Sequence, residues 1–176
     1  LLGGGRVQYQ YDNSGMRARK LRSHAVHTVE EGIYIGGFEI YRKQVAGKTV
    51  MERETLHIMD GKQRIALVET RLDETCPDKV AEVWVRYQLG NHLGSAALEL
   101  DAAGALISYE EYYPFGCTAY QAGRSALEVS QKRYRFSGRE RDEETGLYYH
   151  GARYLAPWLG RWISTDPAGV IDGANL

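Results

Sequence analysis

Apolar residues in this chain recur mainly at every second position, the period of strands that send alternate side chains to opposite faces. Over residues 6–11, Val7, Tyr9 and Tyr11 share one face. After Asp12-Asn13-Ser14-Gly15 the chain returns over 16–21, with Met16, Ala18 and Lys20 opposed to Arg17, Arg19 and Leu21. Two such runs around an Asp/Asn/Gly turn predict a hairpin. A further run, 32–42, holds Ile33, Ile35, Phe38 and Ile40 around Gly36-Gly37, which breaks or bulges it. A turn at 44–48 leads into a strand at 49–59. Asp60-Gly61-Lys62 then supplies a tight turn, because Asp-Gly accepts the left-handed backbone such turns need. Residues 63–70 carry Ile65, Leu67 and Val68 back again.

The polar stretch 72–81, with Pro77, reads as a loop. Strands follow at 82–88, 95–100 and 105–113, separated by Asn91-His92-Leu93-Gly94 and Asp101-Ala102-Ala103-Gly104 and closed by Pro114-Phe115-Gly116. They form a meander. In the first, Val83, Val85 and Tyr87 oppose Trp84 and Arg86. Residues 119–131 have no settled period and fit a helix or an irregular loop. A strand at 132–137 places Tyr134 and Phe136 on one face, 140–144 reads as a solvated charged turn, and 146–155 as a second aromatic strand. The expected fold is all-β: tandem antiparallel hairpins forming part of a curved strand spiral or shell, with little helix. Three segments are expected: a first hairpin at 1–24, further hairpins at 25–81, and a core at 82–176 ending in Asp166-Pro167-Ala168-Gly169.

Composition agrees with strands and tight turns. Thirteen tyrosines and 20 glycines stand against three phenylalanines and four prolines. Tyrosine suits a half-buried pleated surface, and glycine suits turns of positive φ. The 176 residues are enough for one ordinary domain, and because they begin at Leu1 they are read as a segment of a longer polypeptide. A net charge of −1, from 22 basic and 23 acidic residues, creates no field that argues for nucleic acid or an anionic membrane. No apolar run approaches the ~20 residues of a membrane-spanning helix, so no membrane span is expected. Cys76 and Cys117 make no disulfide framework, and the five histidines do not stand at metal-ligand spacing from them, so no metal is expected. Gly3, Gly4 and Gly5 lack the Lys-Ser/Thr of a phosphate loop, and no cofactor is expected.

Four stretches carry a family resemblance. Tyr9-Gln10-Tyr11-Asp12-Asn13-Ser14-Gly15 resembles a YD repeat. Asn91-His92-Leu93-Gly94-Ser95 with Tyr112-Tyr113-Pro114-Phe115-Gly116 forms the second. The third is Tyr134-Arg135-Phe136-Ser137-Gly138-Arg139-Glu140 with Thr145-Gly146-Leu147-Tyr148-Tyr149. The last is Arg161-Trp162-Ile163-Ser164-Thr165-Asp166-Pro167-Ala168-Gly169. In this order they resemble the repeat-associated core of Rhs/YD-repeat proteins, as found in Rhs toxins and the C components of insecticidal toxin complexes.

That resemblance implies a β-shell that encapsulates a polymorphic toxin, delivered or secreted from a bacterial cell. The implied partners are a toxin domain downstream in the same polypeptide, the remaining repeats or a companion shell protein, and a secretion or delivery apparatus. It also implies aspartyl-protease-like self-cleavage between core and toxin, with Asp166 as one catalytic carboxylate and the second falling beyond Leu176. Two close carboxylates cannot both ionise cheaply, so one keeps a proton while the other activates water. Asp172 and Asp142 are the weaker candidates for a partner within the chain. Arg161 and Arg141 are the cations that would hold a carboxylate ionised.

Each residue also has a plainer reading. Asp-Pro-x-Gly is a common turn, His92 and His150 fit hydrogen-bonded strand or turn positions, and the stripe Tyr148, Tyr149, Tyr154, Trp158 and Trp162 fits a packed aromatic core. A carbohydrate- or cell-surface-binding adhesion module without catalysis is the alternative function; an exposed aromatic platform would favour it.

Overall fold

The computed structural model describes residues 5–24, 27–73, 82–125 and 132–169. Asp172 and Cys76 lie outside them. Antiparallel strands follow one another in sequence order in a ten-stranded sheet, and a separate four-stranded sheet follows; of the loop expected at 72–81, residues 74–81 lie outside the described residues. The expectation of an all-β fold built from tandem antiparallel hairpins holds, and among the described residues there is no α-helix. The chain divides into two compact units, 1–60 with 66–86 and 61–65 with 87–176.

The first unit contains β1 (Arg6–Tyr11), β2 (Arg17–His24), β3 (Thr28–Ile35), β4 (Phe38–Val45) and β5 (Lys48–Asp60). It also holds most of β6 (Gln63–Asp73) and the start of β7 (Glu82–Gly90). Of the two expected outcomes, a break or a bulge, Gly36-Gly37 makes the break. It is the two-residue turn between β3 and β4, with Gly36 at φ 60° and Ile35 paired to Phe38.

The strand faces do not sort simply into buried aliphatic and exposed polar side chains. The buried side chains include Arg17, Glu39, Thr55, Glu69 and Arg86, while Ile35, Leu56, Val83 and Tyr87 are exposed. Ion pairs and cation–π contacts lie along the sheet. Arg17 reaches the rings of Tyr9 and Tyr34, His57 lies 3.0 Å from Glu39, and Arg53 sits on Tyr41. Glu69 faces both Arg53 (3.7 Å) and Arg86 (3.4 Å). Long cations cover strands with their aliphatic stems while the charged heads find partners, so buried positions need not be apolar.

The second unit continues with β8 (Ala96–Leu100), β9 (Leu106–Tyr112) and β10 (Thr118–Gly123). Residues 118–123 are therefore strand, not helix or irregular loop; 126–131 lie outside the described residues. The expected strand at 132–137 reduces to one bridge, Tyr134 to Glu140, and a 3₁₀ turn at Phe136–Gly138 with Ser137 at φ 50°. The small sheet then forms from β11 (Glu140–Arg141), β12 (Tyr148–Tyr149), β13 (Tyr154–Ala156) and β14 (Arg161–Trp162). The single aromatic strand expected at 146–155 is thus two, folded back on each other at His150 to Arg153, where the His150 N–H donates to the Arg153 carbonyl at 2.9 Å. Phe136, Tyr148 and Leu155 make its buried core, with Tyr112 and Trp162 packed against them.

Candidate functional site

One turn design recurs. In Asp12-Asn13-Ser14-Gly15-Met16, the Asp12 Oδ1 accepts the N–H groups of Ser14 and Met16, both at 2.9 Å, and the Gly15 N–H donates to the Asp12 carbonyl. Asn91 accepts from Leu93 and Ser95 in the same way, and Asp101 from Ala103 and Ala105. The fourth residue is glycine each time, with φ between 71° and 78°. A short carbonyl-bearing side chain satisfies the turn's N–H groups while glycine supplies the left-handed backbone. Asp166-Pro167-Ala168-Gly169 repeats its opening half: Ala168 N–H donates to Asp166 Oδ1 at 2.9 Å, Gly169 N–H to the Asp166 carbonyl at 3.0 Å, and Gly169 has φ 76°.

The other oxygen of Asp166 meets Arg153, Nη2 to Oδ2 at 2.7 Å. Arg153 in turn stacks on the Trp162 ring, 4.2 Å from its centroid, and His150 meets the same ring edge-on at 5.0 Å. Arg161 and Arg141 are the supporting cations that the resemblance implies, and the cation in contact with Asp166 is instead Arg153. Arg161 is exposed, while the Arg141 guanidinium lies near Gly146. Asp142 is fully buried in the 142–147 turn, where its carbonyl accepts the Gly146 N–H at 2.7 Å. Arg153 was missed because it lies 13 residues before Asp166, and only the β12–β13 reversal brings it there.

Glu110 anchors a second cluster that the sequence did not announce. Its carboxylate is fully buried and accepts from Arg135 Nη1 at 2.9 and 3.0 Å, from Thr118 Oγ1 at 2.7 Å and from the Tyr112 hydroxyl at 2.9 Å. The equally buried Lys132 Nζ lies 3.1 Å from it and also donates to the Ala96 carbonyl. Burial by itself raises the Glu110 carboxyl, but Arg135, Lys132 and the two hydroxyl donors outweigh it and hold it below the ordinary carboxylate range. Burial pushes the Lys132 ammonium down against the pull of Glu110. Desolvation, with Glu110 beside it, drives the Tyr112 hydroxyl far above its usual value, so it acts only as a neutral donor. This cluster fastens residues 132–135 to β8 and β9.

The aromatic stripe divides. Tyr148 is fully buried and donates to the Gly116 carbonyl at 3.0 Å, the Tyr149 and Tyr154 rings meet tilted at 45° with centroids 5.2 Å apart, and Trp158 is exposed. No group of three or more metal-ligating side chains occurs among the described residues.

No protein-family model matches the chain. Over 176 residues it is 42% identical to the toxin subunit YenC1 of Yersinia entomophaga, an alignment that covers 96% of this chain and 17% of YenC1. It is 38% identical over 76 residues to the tRNA nuclease WapA of Bacillus subtilis (strain 168), covering 43% of this chain and 3% of WapA. Among solved structures, TcdB2-TccC3-TEV superposes with a TM-score of 0.85 at 39% identity, over 97% of this chain and 8% of that one. The chain thus spans less than a fifth of each of these proteins.

Proposed function

We propose, for a chain that belongs to the Rhs/YD-repeat family, that it forms the C-terminal part of a β-shell around a toxin carried by the same polypeptide. The likeness to YenC1 and to TcdB2-TccC3-TEV, in sequence and in fold over nearly the whole chain, carries this reading. The fold supports it physically: successive hairpins extend one sheet strand by strand, and a wall can be built that way. In this reading the shell belongs to a secreted or delivered bacterial toxin complex, and the other repeats or a companion shell protein complete the wall.

The finer part is self-cleavage. Asp166, held by Arg153, is one carboxylate of an aspartyl-protease-like pair whose second member comes from elsewhere in the parent polypeptide. Arg153, 2.7 Å from Asp166, fixes the position of that carboxylate; in this scheme Asp166 activates water while the partner carboxyl donates a proton to the leaving amide nitrogen. Hydrolysis then adds water across the peptide bond and leaves the toxin separate inside the shell. Asp172 and Asp142 are not needed in this scheme.

Limited proteolysis of the native full-length parent tests encapsulation. The toxin region should resist added trypsin until the shell is unfolded. Degradation as fast as that of the free toxin domain would remove the shell reading.

A further inference from the structure

His150 is absorbed by neither the shell nor the turn. It sits at the head of the β12–β13 reversal, three residues before Arg153, and both side chains lean on Trp162 of β14. The imidazole meets the indole at an interplanar angle of 89°, an edge-to-face contact of the favourable kind. Its Nε2 is buried and makes no hydrogen bond among the described residues. A buried polar atom left unbonded costs stability, so the ring is not held there by hydrogen bonding of that nitrogen.

We propose that His150 is a positioning residue for self-cleavage, setting the pose of Trp162 and through it the Arg153 guanidinium that holds Asp166. This rests on the self-cleavage reading above. The path is short and physical: His150 edge, Trp162 face, Arg153, Asp166 Oδ2. It requires a neutral ring. The charged groups facing His150 are Arg139 and Arg153, both cations, and a third positive charge there would push Arg153 away from the indole and compete for Asp166. Burial first, then Arg139 and Arg153, push the imidazole down to about 4, so it is neutral in the ordinary range.

The test follows cleavage of the full-length parent made by cell-free synthesis at neutral pH, as wild type, Asp166→Asn, His150→Phe, His150→Ala and His150→Lys. Phenylalanine keeps a neutral aromatic edge, alanine removes it, and lysine fixes a cation. His150→Phe is expected to cleave within about twofold of wild type, and the alanine and lysine variants to slow roughly tenfold or more, the scale on which a displaced catalytic group acts. Thermal melting checks folding, and if the lysine variant unfolds, the phenylalanine–alanine pair decides alone. Alanine cleaving like wild type, or phenylalanine failing like alanine, overturns the proposal while the Asp166 reading stands. A wild type that stays whole like Asp166→Asn overturns both.

Discussion

Arg153 and Asp166 meet at 2.7 Å on a carboxylate whose other oxygen already receives the Ala168 N–H. Asp101 is built alike: its Oδ1 takes two turn N–H groups, and its Oδ2 takes Arg124 at 2.8 Å. Local geometry therefore does not separate a turn aspartate from a catalytic one. What separates them is what each does when its charge is removed.

Asn91 fills the same turn position without a charge, so asparagine is a clean replacement. Asp101→Asn is expected to leave the unfolding midpoint close to wild type, whereas Asp101→Ala loses the turn bonds and lowers it. Urea denaturation of the 176-residue chain checks both. Asp101→Asn in the parent should also leave cleavage unchanged.

Removing Glu110 should be far more damaging. Glu110→Ala leaves Lys132 and Arg135 buried without their shared anion, and breaking a buried ion pair from one side costs about 3–5 kcal/mol. Replacing Glu110, Lys132 and Arg135 together by apolar residues of similar volume should recover most of that loss. If the single variant unfolds at the wild-type denaturant concentration, the cluster does not hold residues 132–135 in place.

Two acid-sensitive windows follow from the shifted groups. His150 has a folded value of about 4 against an ordinary 6.5. Its unfolded form therefore binds the extra proton first, and stability present above 6.5 is lost as pH falls toward 4. Glu110 is also lowered, from 4.5, so its contribution is complete above 4.5 and is lost as pH falls through its folded value. In melting temperature against pH, His150→Phe should flatten the limb between 6.5 and 4 and leave the lower one. An unchanged upper limb would contradict the assignment to His150.

Two turn glycines of positive φ should differ sharply by surroundings. At Gly116 (φ 90°) an added Cβ would stand 2.6 Å from the Phe136 ring, whereas at Gly15 (φ 78°) it would meet nothing within 4 Å. Gly15→Ala should cost about 1–2 kcal/mol, the left-handed backbone penalty alone. Gly116→Ala adds overpacking of about 1–3 kcal/mol in the core around Phe136 and Tyr148. Equal losses in thermal melts of the two variants would contradict the packing.

Turns were the legible part of the sequence. Asp12, Asn91 and Asp101 act through atoms two to four residues away, so a local motif contains the whole interaction. The hairpin at Asp60-Gly61-Lys62 was readable for the same reason. What depends on distant pairing was not. Glu110 gains its meaning from Lys132 and Arg135, 22 and 25 positions away, and nothing in Tyr109-Glu110-Glu111-Tyr112 distinguishes buried Glu110 from exposed Glu111. The run at 140–144 looked solvated, yet Glu140 and Asp142 are buried because the small sheet and its turn close over them. Short strands were invisible too, since β12 and β14 have two residues each and show no period.

The most direct measurement is intact mass of the full-length parent polypeptide, wild type beside Asp166→Asn, with Asp101→Asn as the turn control. The wild type and Asp101→Asn should each yield two masses that sum to the chain plus one water, and Asp166→Asn should remain whole while folding normally. A folded wild type that stays whole, or an Asp166→Asn variant that still splits, would contradict the catalytic assignment of Asp166 and leave it a turn residue like Asp101.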